Sequence, residues 1–308
     1  MKHVEAHANT PTVVVIGESL IDIVDGPQGN RTCHVGGSPL NVAVGLGRLD
    51  VSTELATRIG DDPHGELIRR HLADAGVSLQ AGSRGADRTA TAHASIGADG
   101  SATYEFNIDW DLREVHFDVP RVVHTGSLAT LLEPGASRTE EELRRLPAST
   151  LITFDPNIRP ALATSREAAR ARVENFAALA HIVKMSDEDA AWLYPGREPR
   201  AIAEIYASLG VQLFVLTRAA KGCMVASHST LRYLQAEPAT VVDTIGAGDA
   251  FMSGLIYEAL RSGAARQLTA NESDEELLDV CVQTALRSAA ITVSRAGANP
   301  PNRHDLNG

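Results

Sequence analysis

The sequence predicts an α/β protein with a central, mostly parallel sheet flanked by helices and a small β-sheet lid. Three observations carry that expectation. Continuous apolar, β-branched runs such as TVVVIG at 12–17 suit strands buried on both faces. Between such runs lie segments with apolar residues three and four apart, the spacing of a helix with one buried face. Two stretches break this alternation and read as hairpins.

Taken in order, residues 12–17 form the first strand and 21–35 the first hairpin. Residues 39–49 carry a helical pattern opened by Pro39, whose missing N–H suits a first turn. Residues 63–75 carry a second. In 89–111, alternating runs flank Gly97-Ala98-Asp99-Gly100, a strong turn signal, and no helix follows. The runs LITFDP, near Ile152, and FVLT, near Val215, repeat the buried-strand type, with a helical pattern at 165–179 between them. Residues 241–251 join a strand end, a small-residue turn and an apolar-periodic helix to about Leu260, and 275–293 form a closing helix. The final PPNRHDLNG reads as a surface tail. The expected division is a core of 1–20, 36–88 and 112–308 with a lid of 21–35 and 89–111.

Composition removes several function classes. Lys and Arg total 28 against 39 Asp and Glu, and the net charge of −11 repels phosphate backbones and anionic lipid. Neither nucleic acid nor membrane is an expected partner. No apolar run approaches the roughly 18 residues of a membrane span, and the opening residues lack a secretory apolar stretch, so the expected location is cytoplasmic. Cys33, Cys223 and Cys281 are odd in number and far apart, which argues against a disulfide framework or structural zinc. Lys2, Lys184 and Lys221 are followed by His, Met and Gly, so no Walker P-loop exists. Gly45-Leu46-Gly47 lacks the third glycine of a dinucleotide fingerprint and sits late in a helix. HExxH and GxSxG are absent as well.

The strongest local signal is VVDTIGAGDAF at 241–251. Gly246, Ala247 and Gly248 leave backbone N–H groups unobstructed at a helix N-terminus, where unpaired donors and the dipole favour an anion. Asp249 follows in the first turn. A carboxylate beside a phosphate site repels the bound anion, so its presence there suggests a catalytic role, that of taking the proton of a hydroxyl that attacks a phosphoryl group. The second signal is Gly36-Gly37-Ser38-Pro39-Leu40-Asn41, where two glycines permit close backbone approach. Asn41 offers donor and acceptor, and with Asp22 after the first strand it can read neighbouring sugar hydroxyls.

Together, Gly36-Gly37-x-Pro39-x-Asn41-x-Ala43 and Asp243-Thr-x-Gly-Ala-Gly-Asp249 resemble the two signatures of the ribokinase-like (PfkB) sugar kinases, and the order of elements is similar over nearly the whole chain. The resemblance implies transfer of the ATP γ-phosphoryl group to a sugar hydroxymethyl. It makes Asp249 the base and Gly246, Ala247 and Gly248 the anion hole. Asp22, Gly36, Gly37, Asn41, Arg159 and the lid residue Phe106 would hold the sugar. Ser186, Thr217, Arg218 and Gly222, with Gly246 and Gly248, would face the nucleotide. Mg²⁺ would ride mainly on phosphates and waters. Related kinases often bind K⁺, which Asp243 and Ile245 would hold here. Exposed lid edges invite a homodimer through the lid.

Asp155-Pro-Asn157-Ile-Arg159-Pro resembles fructokinases and 2-keto-3-deoxygluconate kinases more than ribokinases or adenosine kinases. The expected reaction is fructose to fructose 6-phosphate. The alternatives are a 2-keto-3-deoxygluconate or nucleoside kinase of the same family, and a non-catalytic sugar or nucleotide sensor on this fold. The sequence departs from the family pattern at Asp50, where Gly or Ser is usual, at Ala219 for a glycine, and at Ser186 for an asparagine.

Overall fold

The computed structural model describes residues 12–25, 30–96, 102–112, 119–227, 230–272 and 274–307; for 94–96 and 102–104 it describes the backbone alone. The turn expected at Gly97 to Gly100 lies outside the described residues.

In chain order, β1 (Val13–Ile16), β2 (Leu20–Asp25), β3 (Arg31–Gly36) and α1 (Ser38–Arg48) precede β4 (Thr53–Ala56), β5 (Ile59–Gly60), α2 (Pro63–Asp74), β6 (Ser78–Leu79), β7 (Arg84–Ala86), β8 (Ala90–Ile96) and β9 (Ala102–Asn107). Next come β10 (Val122–Gly126), α3 (Gly135–Arg145), β11 (Leu151–Asp155), α4 (Arg166–Ala177), β12 (Ile182–Ser186), α5 (Asp187–Leu193), α6 (Pro199–Ser208) and β13 (Leu213–Thr217). The last are β14 (Cys223–Ser227), β15 (Thr230–Leu234), α7 (Ala247–Ser262), α8 (Ala264–Thr269), α9 (Glu275–Val293) and α10 (Arg303–Asn307).

Nine strands form the central sheet in the order β15-β14-β13-β12-β11-β10-β1-β4-β6. Pairing is parallel from β13 to β6, and the β13–β14 and β14–β15 pairs are antiparallel, so β14 is the strand of this sheet that runs against the others. Helices cover both faces, which explains why β1 is apolar at every position. Val13 and Val15 pack towards α1, α7 and α9, whereas Val14 and Ile16 pack towards the layer of α4, α5 and α6. The expected α/β architecture is therefore present.

Both expected hairpins form, and they merge. β2 pairs antiparallel with β3 and β8 with β9, while β2 and β8 run parallel, giving one sheet of order β3-β2-β8-β9. The sequence does not reveal that junction, because pairing between distant strands leaves no local period. The β5–β7 pair is equally hidden, since strands this short carry no alternation. The C-terminal residues, expected as a surface tail, are exposed at 302–304 and 307, yet they form α10 and are anchored. Pro300 and Pro301 are buried, and Leu306 of α10 packs with Leu49 and Tyr257. A single apolar residue in a polar run carries no periodic signal of its burial.

Candidate active site

Glu18 follows β1, Ser127 follows β10, and Asp155, Ser186 and Thr217 end β11, β12 and β13. All lie at the carboxyl ends of parallel strands, where open α/β sheets form their crevice.

Asp249, in the first turn of α7, is only 7% exposed. Ser38 Oγ donates to its Oδ1 at 2.6 Å and Asn41 Nδ2 donates to its Oδ2 at 2.8 Å. Both donors lie early in α1, so two helix N-termini converge on one carboxylate and fix its orientation. Sequence points to Asn41 as a sugar ligand; in the structure its amide nitrogen orients Asp249, and its amide oxygen is left for another partner. Ser38 is not singled out by sequence, although residues three apart on a helix share a face. β1 can approach α1 this closely because a Cβ on Gly17 would lie 2.2 Å from Pro39 Cγ.

Gly246 opens α7 with φ 75°, and a Cβ there would lie 2.7 Å from that of Ala298. The first helical bond runs from Ala250 N–H to Gly246 O at 2.8 Å, so the preceding N–H groups have no intrahelical acceptor. Ala247 N–H, expected to face an anion, donates to Thr244 O at 3.3 Å.

Lys184 lies directly against this turn. Its Nζ sits 2.7 Å from Asp155 Oδ2 and donates to Gly248 O at 3.4 Å, with the Lys184 and Asp155 side chains 5% and 1% exposed. Burial pushes the Asp155 carboxyl up to about 7, offset by Lys184 and reinforced by the negative charges of Asp189 and Asp249. Nearby, burial and then the Lys184 charge push His124 down to about 3, which keeps it neutral beside Thr153 Oγ1 at 3.0 Å. In the sequence Lys184 stands out only as a lysine without a P-loop. A charge inside the apolar strand IVKMS is the signal that could find it, because buried lysine needs a partner.

The small four-stranded sheet contributes Asp22. A Cβ on Gly36 would fall 2.2 Å from Asp22 Oδ2, so only glycine admits the carboxylate there. Gly37 has φ 112° and a Cβ position 2.6 Å from Glu18 O. Asp22 keeps an open side to solvent, yet the surrounding walls strip enough water to raise its pKa, while His34 and then Arg159 pull it back. Arg159 is exposed and donates to Asn157 Oδ1 at 2.7 Å. Asp189 Oδ1 accepts from Ile158 N–H at 2.8 Å and so anchors that loop. Phe106, on β9, is half-buried.

On the opposite side, Thr217 Oγ1 donates to Met185 O at 3.3 Å, and the Arg218 guanidinium stacks 5.5 Å from the Tyr233 ring centre. Gly222 is required sterically, since a Cβ would lie 2.0 Å from Leu234 O. Ser186 caps α5, accepting from Asp189 N–H at 3.0 Å. Asp243 accepts from Ile245 N–H at 3.0 Å and from Gly297 N–H at 2.8 Å, joining two loops beside α7. Ala219, which stands where a glycine is usual, has φ 47°, and Asp50 has φ 61°. Both departures occupy left-handed backbone, which disfavours a side chain. Ala219→Gly is therefore expected to raise unfolding free energy by about 0.5–1 kcal/mol, strain relief outweighing chain entropy. Urea unfolding checks it.

Glu18 is the other carboxyl at this end of the sheet that sequence does not single out. It is buried, accepts from Ala129 N–H at 3.1 Å, and is raised by burial from 4.5 to about 7. A raised acid contributes its full stability below the unfolded pKa and loses it as pH rises through the folded one. Glu18→Gln should thus match the parent near pH 4.5 and exceed it by up to about 3 kcal/mol above pH 8. A difference in Tm that is the same at both pH values would contradict this.

A model of pfkB family carbohydrate kinases matches residues 10–305. The fructokinase of Klebsiella pneumoniae is 31% identical over 302 residues, covering 95% of this chain and 97% of its own length. That of Salmonella typhimurium is 29% identical over 305 residues, covering 96% and 98%. Among solved structures, a double-mutant fructokinase from Vibrio cholerae O395, in its fructose-, ADP- and potassium-bound form, superposes with a TM-score of 0.81 at 25% identity, covering 97% of this chain and 98% of that one. Among the described residues, no helix is long and apolar enough to cross a membrane.

Proposed function

The chain belongs to the pfkB family of carbohydrate kinases, and on that basis we propose that it transfers the γ-phosphoryl group of ATP to fructose, giving fructose 6-phosphate. The observation that carries the reading is the Asp249 carboxylate, oriented by Ser38 and Asn41 at the N-terminus of α7. Fructokinase relatives that match along nearly the full chain support fructose as the sugar.

Asp22, Gly36, Gly37, Asn41, Arg159 and Phe106 hold the sugar so that its hydroxymethyl meets Asp249. Asp249 takes the hydroxyl proton as the oxygen attacks the γ-phosphorus. The bond from that phosphorus to the β–γ bridging oxygen breaks, and ADP leaves. The N–H groups of Gly246 and Gly248, joined by that of Ala247 once it is released from Thr244, stabilise the negative charge of the transferring group. Ser186, Thr217, Arg218 and Gly222, with Gly246 and Gly248, face the nucleotide.

Bound Mg²⁺ would neutralise charge on the phosphates. Asp249 accepts from Ser38 and Asn41, and Asp155 is ion-paired with Lys184 through Oδ2, so Mg²⁺ would be held mainly by phosphate oxygens and water. Potassium would be held at the loops joined by Asp243, beside Ile245 and Gly297. Residues 21–35 and 89–111 act as a lid that closes over sugar and suppresses hydrolysis of ATP by water, over a core of 1–20, 36–88 and 112–308. β3 and β9 are the edges of the lid sheet and offer the surface for a homodimer. The enzyme works in the cytoplasm, where ATP is supplied.

The test is ADP release from Mg²⁺-ATP with fructose, ribose, 2-keto-3-deoxygluconate, adenosine and phosphorylated sugars, with and without potassium. The highest kcat/KM is expected on fructose. A higher value on another acceptor reassigns the substrate, and ligand-induced stabilisation without turnover on any acceptor supports a sensor.

A further inference from the structure

We infer that His34 is a sugar-contacting, specificity-determining residue of this chain, acting on the same hydroxyls as Asp22; the inference rests on the sugar-kinase reading above. Strand register makes the case. Across the lid sheet, His34 pairs with Asp22, Asp22 with Ala92, and Ala92 with Phe106. Residues directly opposite one another project to the same face of a sheet, and in an antiparallel pair their Cβ atoms lie about 4.5–5.5 Å apart. His34, Asp22, Ala92 and Phe106 therefore form one row across all four strands.

The direction of that row follows from its neighbours. Ile21 and its partner Val35, on the opposite face, pack into the main core with α1 and α7. Asp22 instead feels the charge of Arg159, which comes from the loop after β11 at the catalytic end of the sheet. The row thus looks into the cleft. His34 is exposed there, and among the described residues its ring has no hydrogen-bond partner.

The chemistry is complementary. A carboxylate only accepts hydrogen bonds, whereas each sugar hydroxyl both donates and accepts. A hydroxyl that donates to Asp22 still needs a donor for its oxygen, and an imidazole N–H on the adjacent strand supplies it. Ala92, small and on the other side of Asp22 from His34, leaves space above the middle of the row for a sugar, and Phe106 closes the row with an apolar face. The geometry selects a sugar bearing neighbouring free hydroxyls at the end remote from the phosphorylated hydroxymethyl. A site built to bond hydroxyls rejects analogues that lack them.

The test compares the parent with His34→Ala and His34→Gln on whichever sugar of the panel gives the highest kcat/KM, so that a wrong choice of fructose alone does not decide it. His34→Ala should raise KM for the sugar about tenfold, leave kcat within about twofold and KM for ATP unchanged, and weaken discrimination against deoxy analogues. His34→Gln, which keeps a donor, should recover much of the KM. A sugar KM equal to the parent's, or equal losses for sugar and ATP with no recovery in His34→Gln, would overturn the role. A parent that phosphorylates no sugar in the panel would overturn the kinase reading and this one with it.

Discussion

Asp249→Asn is expected to lower kcat for fructose by about 10²- to 10⁴-fold, with the Kd for fructose little changed. The amide preserves the size of the side chain and an acceptor for Ser38, but it cannot take a proton from the attacking hydroxyl. Ser38 and Asn41 hold the carboxylate at 2.6 and 2.8 Å, so both oxygens are fixed in direction before substrate arrives. Fixing the base in advance avoids reorganisation during the transfer. Single-turnover rates with saturating ATP and fructose separate this loss from any change in product release. A variant retaining more than about a tenth of the parent rate would show that proton transfer to Asp249 is not a major part of the barrier.

Lys184→Met is expected to lower unfolding free energy by up to about 3–5 kcal/mol above neutral pH, because it strands the buried Asp155 carboxylate, and by less as pH falls and Asp155 takes up a proton. The pair sits at 2.7 Å with almost no solvent, between Gly248 O on one side and His124 on the other. Replacing both partners, Lys184→Met with Asp155→Leu, removes the uncompensated charge and should recover much of the loss. Urea unfolding of the two variants reads the difference. Equal instability in both would mean that shape, rather than unpaired charge, dominates at this position. The contact to Gly248 O also ties the ion pair to the turn that would cradle phosphate, so the double variant, if folded, should still turn over more slowly than the parent.

Much of this arrangement is legible in the sequence, for identifiable reasons. β1 can be read because a strand buried on both faces is apolar throughout, and α9 because its period is sustained over 19 residues. Asp249 and its glycines are visible because the local conformation of a helix N-terminus dictates its residues. Asp22 stands out just after the first strand, and the glycine beside it has a steric reason in the fold. What escapes are partners brought together by distant chain: Ser38 on Asp249, Lys184 on Asp155, His34 beside Asp22, and β2 against β8. Each depends on a register or crossing that no window of sequence contains. Ala219 and Asp50 are the reverse case, where departures visible in sequence occupy left-handed positions at which glycine has a physical advantage.

The most direct measurement is the product of fructose and Mg²⁺-ATP identified by NMR, with ADP followed in parallel. One ADP formed per phosphate ester, with the ester on the C6 hydroxymethyl and neither product in Asp249→Asn at the parent's rate, is the predicted result. ADP released at the same rate without sugar, or phosphate attached to a ring hydroxyl, would contradict the account.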